Sequence, residues 1–364
     1  MKILDWYILK RFLVTFLFTI VTITVIAVVI DTSEKTDDFV KSGLTTSQII
    51  TQYYFGFVPF IISMIFPLIV FIAVIFFTSK LAGRSEIIAI LANGVNFNRL
   101  LRPYLVGSLF LGAILWLGNQ YVIPRANEIR SDFQLKVIDK NSSYMAGMNN
   151  SNYYYLRVDT NTFVGLRYYD TTFKSASGFF LDKIKDNQVY YNLRSESIKW
   201  DTATRNWKVE NAIERKINGL HEEIKQIPAL HVNLKVKPNE LSKDTYLKDK
   251  LITPDLDQFI KMEELRGAEG LNTLKVERFR RDATPFSVII LTIIGVAVAA
   301  RKTRGGSGLP LAFGIVAASL FVVMDKFSTV FSTKGSLYPF LAAWLPNIIF
   351  AFVAFVLYRR SQKS

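Results

Sequence analysis

Six long apolar runs constrain this chain more than any other feature of its sequence. Each run lacks Asp, Glu, Lys and Arg, and each has about the 20 residues that a helix needs to cross the hydrocarbon core of a bilayer. Helices are the expected form because they satisfy their backbone hydrogen bonds internally. The sequence therefore predicts six membrane spans, at residues 12–30, 44–79, 103–124, 283–300, 305–324 and 335–358.

The first run has two interpretations. Lys10 and Arg11 precede it, as basic residues precede the apolar core of a signal peptide. The run is long for such a core, however, and Asp31 follows it without a small-residue cleavage site. We therefore expect the first run to be a retained membrane span.

Basic residues are distributed unevenly between the two sides of the predicted spans. One side receives the pieces 1–11, 80–102, 301–304 and 359–364, which hold 13 Lys and Arg and two acids. The short loops 31–52 and 325–338 on the other side hold four basic residues and five acids. Because Lys and Arg concentrate in cytoplasmic loops, both termini are expected on the cytoplasmic side of the membrane. The formal charge of +14 is then a topology signal, and we expect no nucleic-acid partner.

The polar region between the third and fourth spans is predicted to be a β-domain outside the cytoplasm. Residues 153–158 and 162–169 are rich in β-forming residues and flank a turn at 159–161. Further turns are predicted at 186–188 and 201–206, and strand alternation at Leu230, Val232, Leu234 and Val236. Such spacing is typical of a sandwich, a jelly roll or a half-open barrel, here followed by a charged helical segment. The domain could be an adaptor with a filled core or a groove for an apolar ligand.

Sequence patterns of common enzyme sites are absent. There is no Cys, no Walker A pattern and no HExxH or GxSxG. His221 and His231 lie ten residues apart in the β-region. We therefore expect no catalytic residue, no metal and no cofactor. Asp325 and Lys326, near the outer end of the fifth run, are expected to form an interfacial charge pair. Any energy for work must then come from a partner.

The connection between the second and third spans, residues 84–94, predicts a short amphipathic helix on the cytoplasmic side. Ser85 can cap its start, Glu86 suits the positive N-terminal end, and Gly94 suits the C-terminal stop. Ile87, Ile90 and Leu91 share one face at helical spacing. The helix could lie on lipid headgroups or dock into a cytoplasmic partner.

Four stretches resemble the LptF/LptG (YjgP/YjgQ) family of lipopolysaccharide export permeases. Residues 84–95, RSEIIAILANGV, are similar to the family's RSE segment, and residues 4–12, LDWYILKRF, to its opening. Residues 122–127 resemble the end of its third span, and residues 277–285 the entry to its fourth. The resemblance covers essentially the whole chain, and its opening favours the LptG-like type.

The resemblance implies an α+β membrane protein with six transmembrane helices and a periplasmic β-jellyroll inserted between helices 3 and 4. The expected parts are 1–124, with the coupling helix 84–94, then 125–277 for the jellyroll and helical return, and 278–364. The chain would be one permease of an ABC transporter that extracts lipopolysaccharide from the inner membrane. Its implied partners are an LptB-type ATPase dimer, a second LptF/LptG-type permease, an LptC-type single-span protein and a periplasmic LptA-type bridge.

Two sets of site residues follow from the resemblance. The ATPase contact would involve Arg84, Ser85, Glu86, Ile87, Ile90 and Leu91. Phosphates of lipid A would be held by basic residues at the outer ends of the spans, for which the candidates are Lys35, Lys41, Arg125, Arg130, Arg278, Arg280 and Arg281. The alternative for each basic residue is an interfacial anchor.

The chain departs from the family at one position. Family members have a Lys directly after the first span, whereas this chain has Asp31, and residues 31–41 are net acidic. Phosphate contacts could move to Lys35 and Lys41, or the substrate could carry fewer phosphates. The competing functions are a permease for another lipid or lipoprotein, a non-transporting scaffold for the β-domain and, third, a membrane enzyme.

Overall fold

The computed structural model describes residues 2–138, 154–170, 173–186, 188–219, 221–234, 238, 246–267, 270–300 and 308–362. The chain divides into two compact units. One comprises Met1–Asp139, Lys248–Asp257 and Asn272–Ser364, and the other comprises Lys140–Leu247 and Gln258–Leu271. The short return segment 248–257 thus belongs to the helical unit.

The helical unit contains, in chain order, the helices α1 Ile3–Ser42, α2 Thr46–Ile49, α3 Phe55–Gly83, α4 Glu86–Ala92, α5 Phe97–Leu117 and α6 Ile123–Phe133. After the β-strands come α7 Leu247–Lys250, α8 Thr253–Arg266, α9 Leu271–Ala299, α10 Gly308–Lys334 and α11 Pro339–Gln362. The part of α8 from Gln258 onward belongs to the second unit. Within the described residues, six helices have the length and apolar composition to cross a membrane: Ile3–Ser42, Thr46–Gly83, Phe97–Ile138, Leu271–Ala299, Pro310–Lys334 and Pro339–Gln362. The predicted number and order of spans are confirmed.

Several spans are longer than their apolar runs. The helix α1 continues through the charged residues 31–42 and ends where Gly43 adopts a left-handed φ of 68°. The second and third spans contain the π-helical segments Ile50–Tyr54, Gly118–Val122 and Gln134–Ile138. A π-helical turn inserts an extra residue, which re-aims the side chains beside it. The first of these segments carries Tyr53 and Tyr54, whose hydroxyls both reach α1.

The helical unit has two ends, which we call the termini end and the opposite end and define by the residues they hold. The termini end holds Lys2, the α3–α5 connection and the end of α11. There Arg99 pairs with Asp5 at 3.3 Å, and the Tyr358 hydroxyl donates to Asn98 Oδ1 at 2.7 Å. The opposite end holds the α1–α2 turn, α6, α7 and the start of α9. Between the two ends, Phe12, Val70, Val74, Tyr104 and Val288 belong to one buried apolar cluster.

The second unit contains one seven-stranded antiparallel sheet. Its strands are β1 Tyr154–Asp159, β2 Thr162–Leu166, β3 Tyr168–Asp170, β4 Ser175–Lys185, β5 Gln188–Asp201, β6 Asn206–Asn218 and β7 His221–Val232. Strands pair in the order β1-β2-β4-β5-β6-β7, and β3 also pairs with β4. The predicted β-domain in the middle of the chain is confirmed, and the structure shows that its strands pair antiparallel.

The strand boundaries follow the turn residues. The turns near 160, 186 and 203 lie where Asp, Asn and Thr cluster in the sequence, as predicted. Across the β5–β6 pair, Trp200 faces Trp207, which is buried with Val164, Leu193 and Val209 in the core of the sheet. Leu234 follows β7 and is buried in the same core, whereas Val236 lies outside the described residues.

Candidate functional site

The first candidate site is α4, the connection between the second and third spans at the termini end. Its seven residues begin with Glu86, where the positive helix end favours a carboxylate. It ends as predicted, because Gly94 has a left-handed φ of 81° and its N–H donates to the Leu91 carbonyl at 3.0 Å. A glycine suits this conformation since it has no Cβ.

The start of α4 differs from the prediction. Ser85 has a φ of 62° and its side chain makes no cap hydrogen bond, so the expectation that its hydroxyl caps the helix is wrong. A capping side chain requires extended backbone at the cap residue. Here the chain turns tightly after α3, with the Ser85 N–H donating to the Ala82 carbonyl at 3.0 Å.

The apolar side chains of α4 face two directions. Ile87 is fully buried in the apolar cluster of the chain's own helices, and Ile90 packs against that cluster. Ile88 and Leu91 are 46% and 37% exposed. One face of α4 therefore fastens it to the spans, and a second face presents apolar surface. The i,i+3 spacing of Ile88 and Leu91 is the sequence signal that identifies this second face.

Charges flank the exposed face of α4. Arg84 and Glu86 approach each other to 3.9 Å between side-chain N and O, with 65% and 34% of the two side chains exposed. An ion pair so long and so exposed contributes little to stability. Both side chains can therefore exchange this contact for one with a partner.

The second candidate site is the opposite end of the helical unit, where the seven candidate basic residues lie on three spans. Lys41 and Arg125 are exposed, and neither forms an ion pair with another described residue. The Arg130 guanidinium lies over the Phe60 ring, with its Cζ 3.9 Å from the ring centroid. Such stacking leaves the guanidinium edge able to form hydrogen bonds.

Lys35 lies between α1 and the second span. Its Nζ is 2.6 Å from Asp31 Oδ1 and donates to the Tyr53 hydroxyl, which itself donates to Asp31 Oδ1 at 3.0 Å. The ammonium also lies over the Tyr53 and Phe57 rings, 4.6 and 5.5 Å from their centroids. Lys35 is thus partnered within the chain.

The three arginines at the start of α9 also have acidic partners. Arg278 pairs with Asp257 at 2.8 Å and with Asp282 at 2.5 Å. Arg280 lies 3.6 Å from Glu277 and 3.7 Å from Asp325. Asp325 therefore pairs with Arg280 across the helices, and the predicted pair with Lys326 is wrong, because consecutive residues of a helix do not face each other.

Arg281 is the third arginine, and its side chain is only 4% exposed. It donates to the Lys248 carbonyl at 2.9 Å, the Leu251 carbonyl at 2.8 Å and the Thr253 hydroxyl at 3.1 Å. Its Nε also lies 3.6 Å from Glu277. The side chain therefore fastens the return segment 248–257 to α9.

A cavity of about 630 Å³ lies beside these arginines. Its apolar wall includes Phe60, Met64 and Phe321, and its charged wall includes Arg280 and Asp325. Three buried polar atoms of its lining residues have no hydrogen-bond partner among the described residues: Arg280 Nε, Asn127 Oδ1 and Asn347 Oδ1. Buried polar atoms usually have partners, so the cavity presents an unusual amount of unused hydrogen-bonding capacity.

Asp249 contributes a further carboxylate to the cavity wall. Burial, followed by the nearby Glu277 carboxylate, raises the pKa of Asp249 to about 6, against the lowering effect of Lys248, Arg130 and Arg280. Sequence reasoning missed this residue and the carboxylates of Glu277 and Asp282. The prediction for the stretch ERFRRDATP considered its basic residues only. The acids of the same stretch, which pair with those arginines, could have indicated that the arginines are partnered within the chain.

Comparison with models of known families identifies the family of this chain. A family model described as lipopolysaccharide export system permease LptF/LptG matches residues 6–360. The chain belongs to the LptF/LptG family. Comparison with curated protein sequences gave no match.

The family membership accounts for the architecture. An LptF/LptG chain is a multi-pass integral membrane protein and a transport subunit of the Lpt export system. In this LptF/LptG chain, the match includes both candidate sites, since α4 and the charged end of α9 lie well inside residues 6–360. The distinction between the LptF-like and LptG-like types stays a prediction.

Proposed function

We propose that this chain is one of two permeases of an ABC transporter that extracts lipopolysaccharide from the bacterial inner membrane and passes it to a periplasmic bridge. The observation that carries the proposal is the family match over residues 6–360. In this assembly the chain pairs with a second LptF/LptG-type permease, an LptC-type single-span protein and an LptB-type ATPase dimer. Both termini lie in the cytoplasm and the β-sheet unit lies in the periplasm, as the distribution of Lys and Arg favours.

We propose that α4 contacts the ATPase and is displaced when the ATPase changes conformation during ATP hydrolysis. Its exposed Ile88 and Leu91 would enter a groove of the ATPase, and Arg84 and Glu86 would meet charged groups at the rim. Ile87 and Ile90, which pack against the spans, would pass a displacement of α4 to α3 and α5. Ser85 would set the angle of α4 through its left-handed backbone.

The lipid path is proposed along the first and fifth spans. Only 6% of the most apolar window of α1 is buried within the chain and only 17% of that of α10, against 33% to 61% for the other spans. These two helices therefore offer the largest apolar surfaces to lipid or to the second permease. We propose that lipid enters between α1 of one permease and α10 of the other.

Phosphate groups of the lipid would meet the basic residues at the periplasmic end. The exposed Lys41 and Arg125 can contact a phosphate directly, whereas the Arg130 guanidinium stacks on Phe60. Contact with Lys35, Arg278, Arg280 or Arg281 would require the phosphate to displace a carboxylate or carbonyl partner. Arg280 is the best placed of these four because its Nε faces no hydrogen-bond acceptor among the described residues.

Purification of the tagged chain from its native membrane in mild detergent tests this function. The native chain is expected to bring down an ATPase, a second permease and lipid A, identified by mass spectrometry. Glu86→Arg should lose the ATPase and keep the second permease, since it reverses one exposed charge on α4. Glu34→Arg, the same reversal at an exposed position of α1, is the matched control and should keep the ATPase.

Two results would count against the proposal. If no ATPase accompanies the native chain under conditions that preserve other membrane complexes, a scaffold for the β-sheet unit becomes the better function. If Glu86→Arg retains the ATPase as well as Glu34→Arg does, then α4 is not the contact.

A further inference from the structure

The periplasmic end of α1 carries an unusual charge for a helix expected beside lipid phosphates. Residues 31–42 contain four acids and two lysines. Glu34 and Asp37 are exposed, Asp38 is half-buried, and Asp31 is buried with only 7% of its surface accessible. This end of α1 is therefore net negative, and Asp31 is the one of its four carboxylates that is buried.

Asp31 neutralises Lys35. A lysine ammonium has three N–H donors, and in Lys35 one reaches Asp31 Oδ1 at 2.6 Å and another reaches the Tyr53 hydroxyl. The remaining surface of the ammonium lies over the rings of Tyr53 and Phe57. The cation is therefore partnered by groups of its own chain, while 20% of its side chain stays exposed.

The surroundings hold this arrangement in place. Tyr53 is fully buried, and it packs on Phe39 and Phe133 with ring centroids 5.6 and 5.2 Å apart. Its hydroxyl is thereby directed at Asp31. A rotation of Lys35 away from Asp31 would leave a buried carboxylate without its counter-ion, which is costly.

The pair is neutral rather than positive. Asp31 Oδ2 is buried and has no hydrogen-bond partner among the described residues, so no second donor shares the carboxylate. A lipid phosphate that approached Lys35 would also come within a few ångströms of Asp31. At such separations outside bulk water, repulsion between like charges offsets the attraction of the lysine.

We propose that Asp31 is a specificity-determining residue that makes this permease favour a lipid headgroup of lower negative charge, monophosphorylated rather than bisphosphorylated lipid A. The inference rests on the proposed function, because it concerns the lipid that the transporter handles. The matching chemistry is a headgroup whose phosphate meets Lys41 or Arg125 and whose other end, near Asp31, carries no phosphate.

The purified complex of the chain with its native partners, in lipid nanodiscs, provides the test. Binding of monophosphorylated and bisphosphorylated lipid A is measured separately, and the ratio of the two affinities is compared between variants. The native complex should favour the monophosphorylated lipid. Asp31→Asn keeps the side-chain shape and frees the charge of Lys35, so it should shift the ratio toward the bisphosphorylated lipid, on the order of fivefold for one partly exposed charge.

A matched control separates this effect from a general change of charge. Asp37→Asn removes one negative charge from an exposed position of the same helix and leaves the Asp31–Lys35 pair intact. It should change the ratio less than about twofold, because exposed charges are screened by salt. An equal shift in both variants would overturn the role of Asp31.

A double variant covers the case in which Asp31→Asn does not fold. Asp31→Asn with Lys35→Gln removes both charges and leaves neither buried alone. If the pair is neutral toward the lipid, the ratio stays within about twofold of the native value. A selective loss of the bisphosphorylated lipid would show that Lys35 binds phosphate directly, and it would overturn the inference.

The failure of the two proposals can be told apart. If the native complex binds both lipids without preference, the inference about Asp31 fails and the transport function stands. If it binds neither lipid, the proposed function fails and the inference fails with it.

Discussion

Arg281 combines almost complete burial with contacts to three successive parts of one segment. Its guanidinium reaches the carbonyls of Lys248 and Leu251 and the hydroxyl of Thr253. A planar guanidinium can serve several acceptors in fixed directions, which an ammonium cannot do. The residue therefore has a structural task even where lipid is absent.

Arg281→Met should destabilise the helical unit strongly. It leaves Glu277 with Arg280 as its remaining counter-ion and three acceptors without a donor, a loss of about 3–5 kcal/mol in the free energy of unfolding. The check is the thermal unfolding midpoint in detergent. Arg125→Met, at an exposed position of the neighbouring span, should change stability by at most about 0.5 kcal/mol. Equal midpoints for the two variants in lipid-free detergent would contradict a structural role for Arg281.

Asp249 gives the helical unit a dependence on pH. Burial and Glu277 raise the pKa of Asp249 to about 6, so between its unfolded pKa near 4 and that value the folded chain binds more protons than the unfolded chain. The stability contributed by this group is therefore complete below about pH 4, falls as the pH rises and is lost above about pH 6.

The variant Asp249→Asn removes this titration. We expect it to match the native chain near pH 4 and to unfold at a higher temperature than the native chain at pH 8, with the difference developing between about pH 4 and pH 6. Unfolding midpoints across this range are the measurement. Asp201→Asn in the sheet should behave in the opposite sense, because hydrogen bonds from Thr204 and Ala203 lower the pKa of Asp201. A pH-independent gain in Asp249→Asn would contradict the prediction.

At the scale of elements, α4 presents one buried and one exposed apolar face within seven residues. Ile87 faces the spans, and Ile88, the next residue, faces away from them. A helix places consecutive side chains about 100° apart, so neighbouring positions can serve different partners. The two isoleucines form a natural pair of test positions.

Ile87→Ala should lower the free energy of unfolding by about 2–5 kcal/mol, as expected for a fully buried isoleucine. Ile88→Ala should change it by at most about 0.5 kcal/mol. At a temperature where both variants are folded, Ile88→Ala should reduce association with the ATPase more than Ile87→Ala does. The measurements are the unfolding midpoint and the amount of ATPase recovered with the tagged chain. Normal ATPase recovery with Ile88→Ala and Leu91→Ala would argue against this face as the contact.

The same elements show what the sequence could predict. Composition decides the spans, because an uncharged run of about 20 residues has few alternatives to a membrane helix. The β-turns were predictable for a similar reason, because the residues Asp, Asn and Thr, which favour turns, mark their positions in the sequence. Contacts between distant positions were not predictable from composition. The contacts of Arg280 with Asp325 and of Tyr53 with Asp31 depend on how helices rotate about their axes, and the π-helical turn before α3 changes that rotation at Tyr53. The pair of Lys35 with Asp31 is local by contrast, since the two residues lie four apart on one helix.

At the scale of the molecule, the orientation can be tested directly because the chain has no Cys. Lys41→Cys and Asn93→Cys place single thiols at exposed positions of the two ends. With Lys41 in the periplasm, a membrane-impermeant maleimide should label Lys41→Cys in intact spheroplasts. Asn93→Cys should react only after the membrane is opened. The reverse pattern would place the termini in the periplasm and remove α4 from any cytoplasmic ATPase.

The continuity of α1 has a mechanical consequence. Its 40 residues contain neither proline nor glycine, so the helix forms an unbroken rod of about 60 Å, roughly twice the thickness of the hydrocarbon core. Other spans contain Pro59, Pro67, Pro103, Pro285 or Pro346, at which a helix can bend. A stiff rod pivots as a whole. If the helix tilts by about ten degrees about one end, the other end moves by about 10 Å. A rotation of α1 at one face of the membrane would therefore displace its residues at the opposite face.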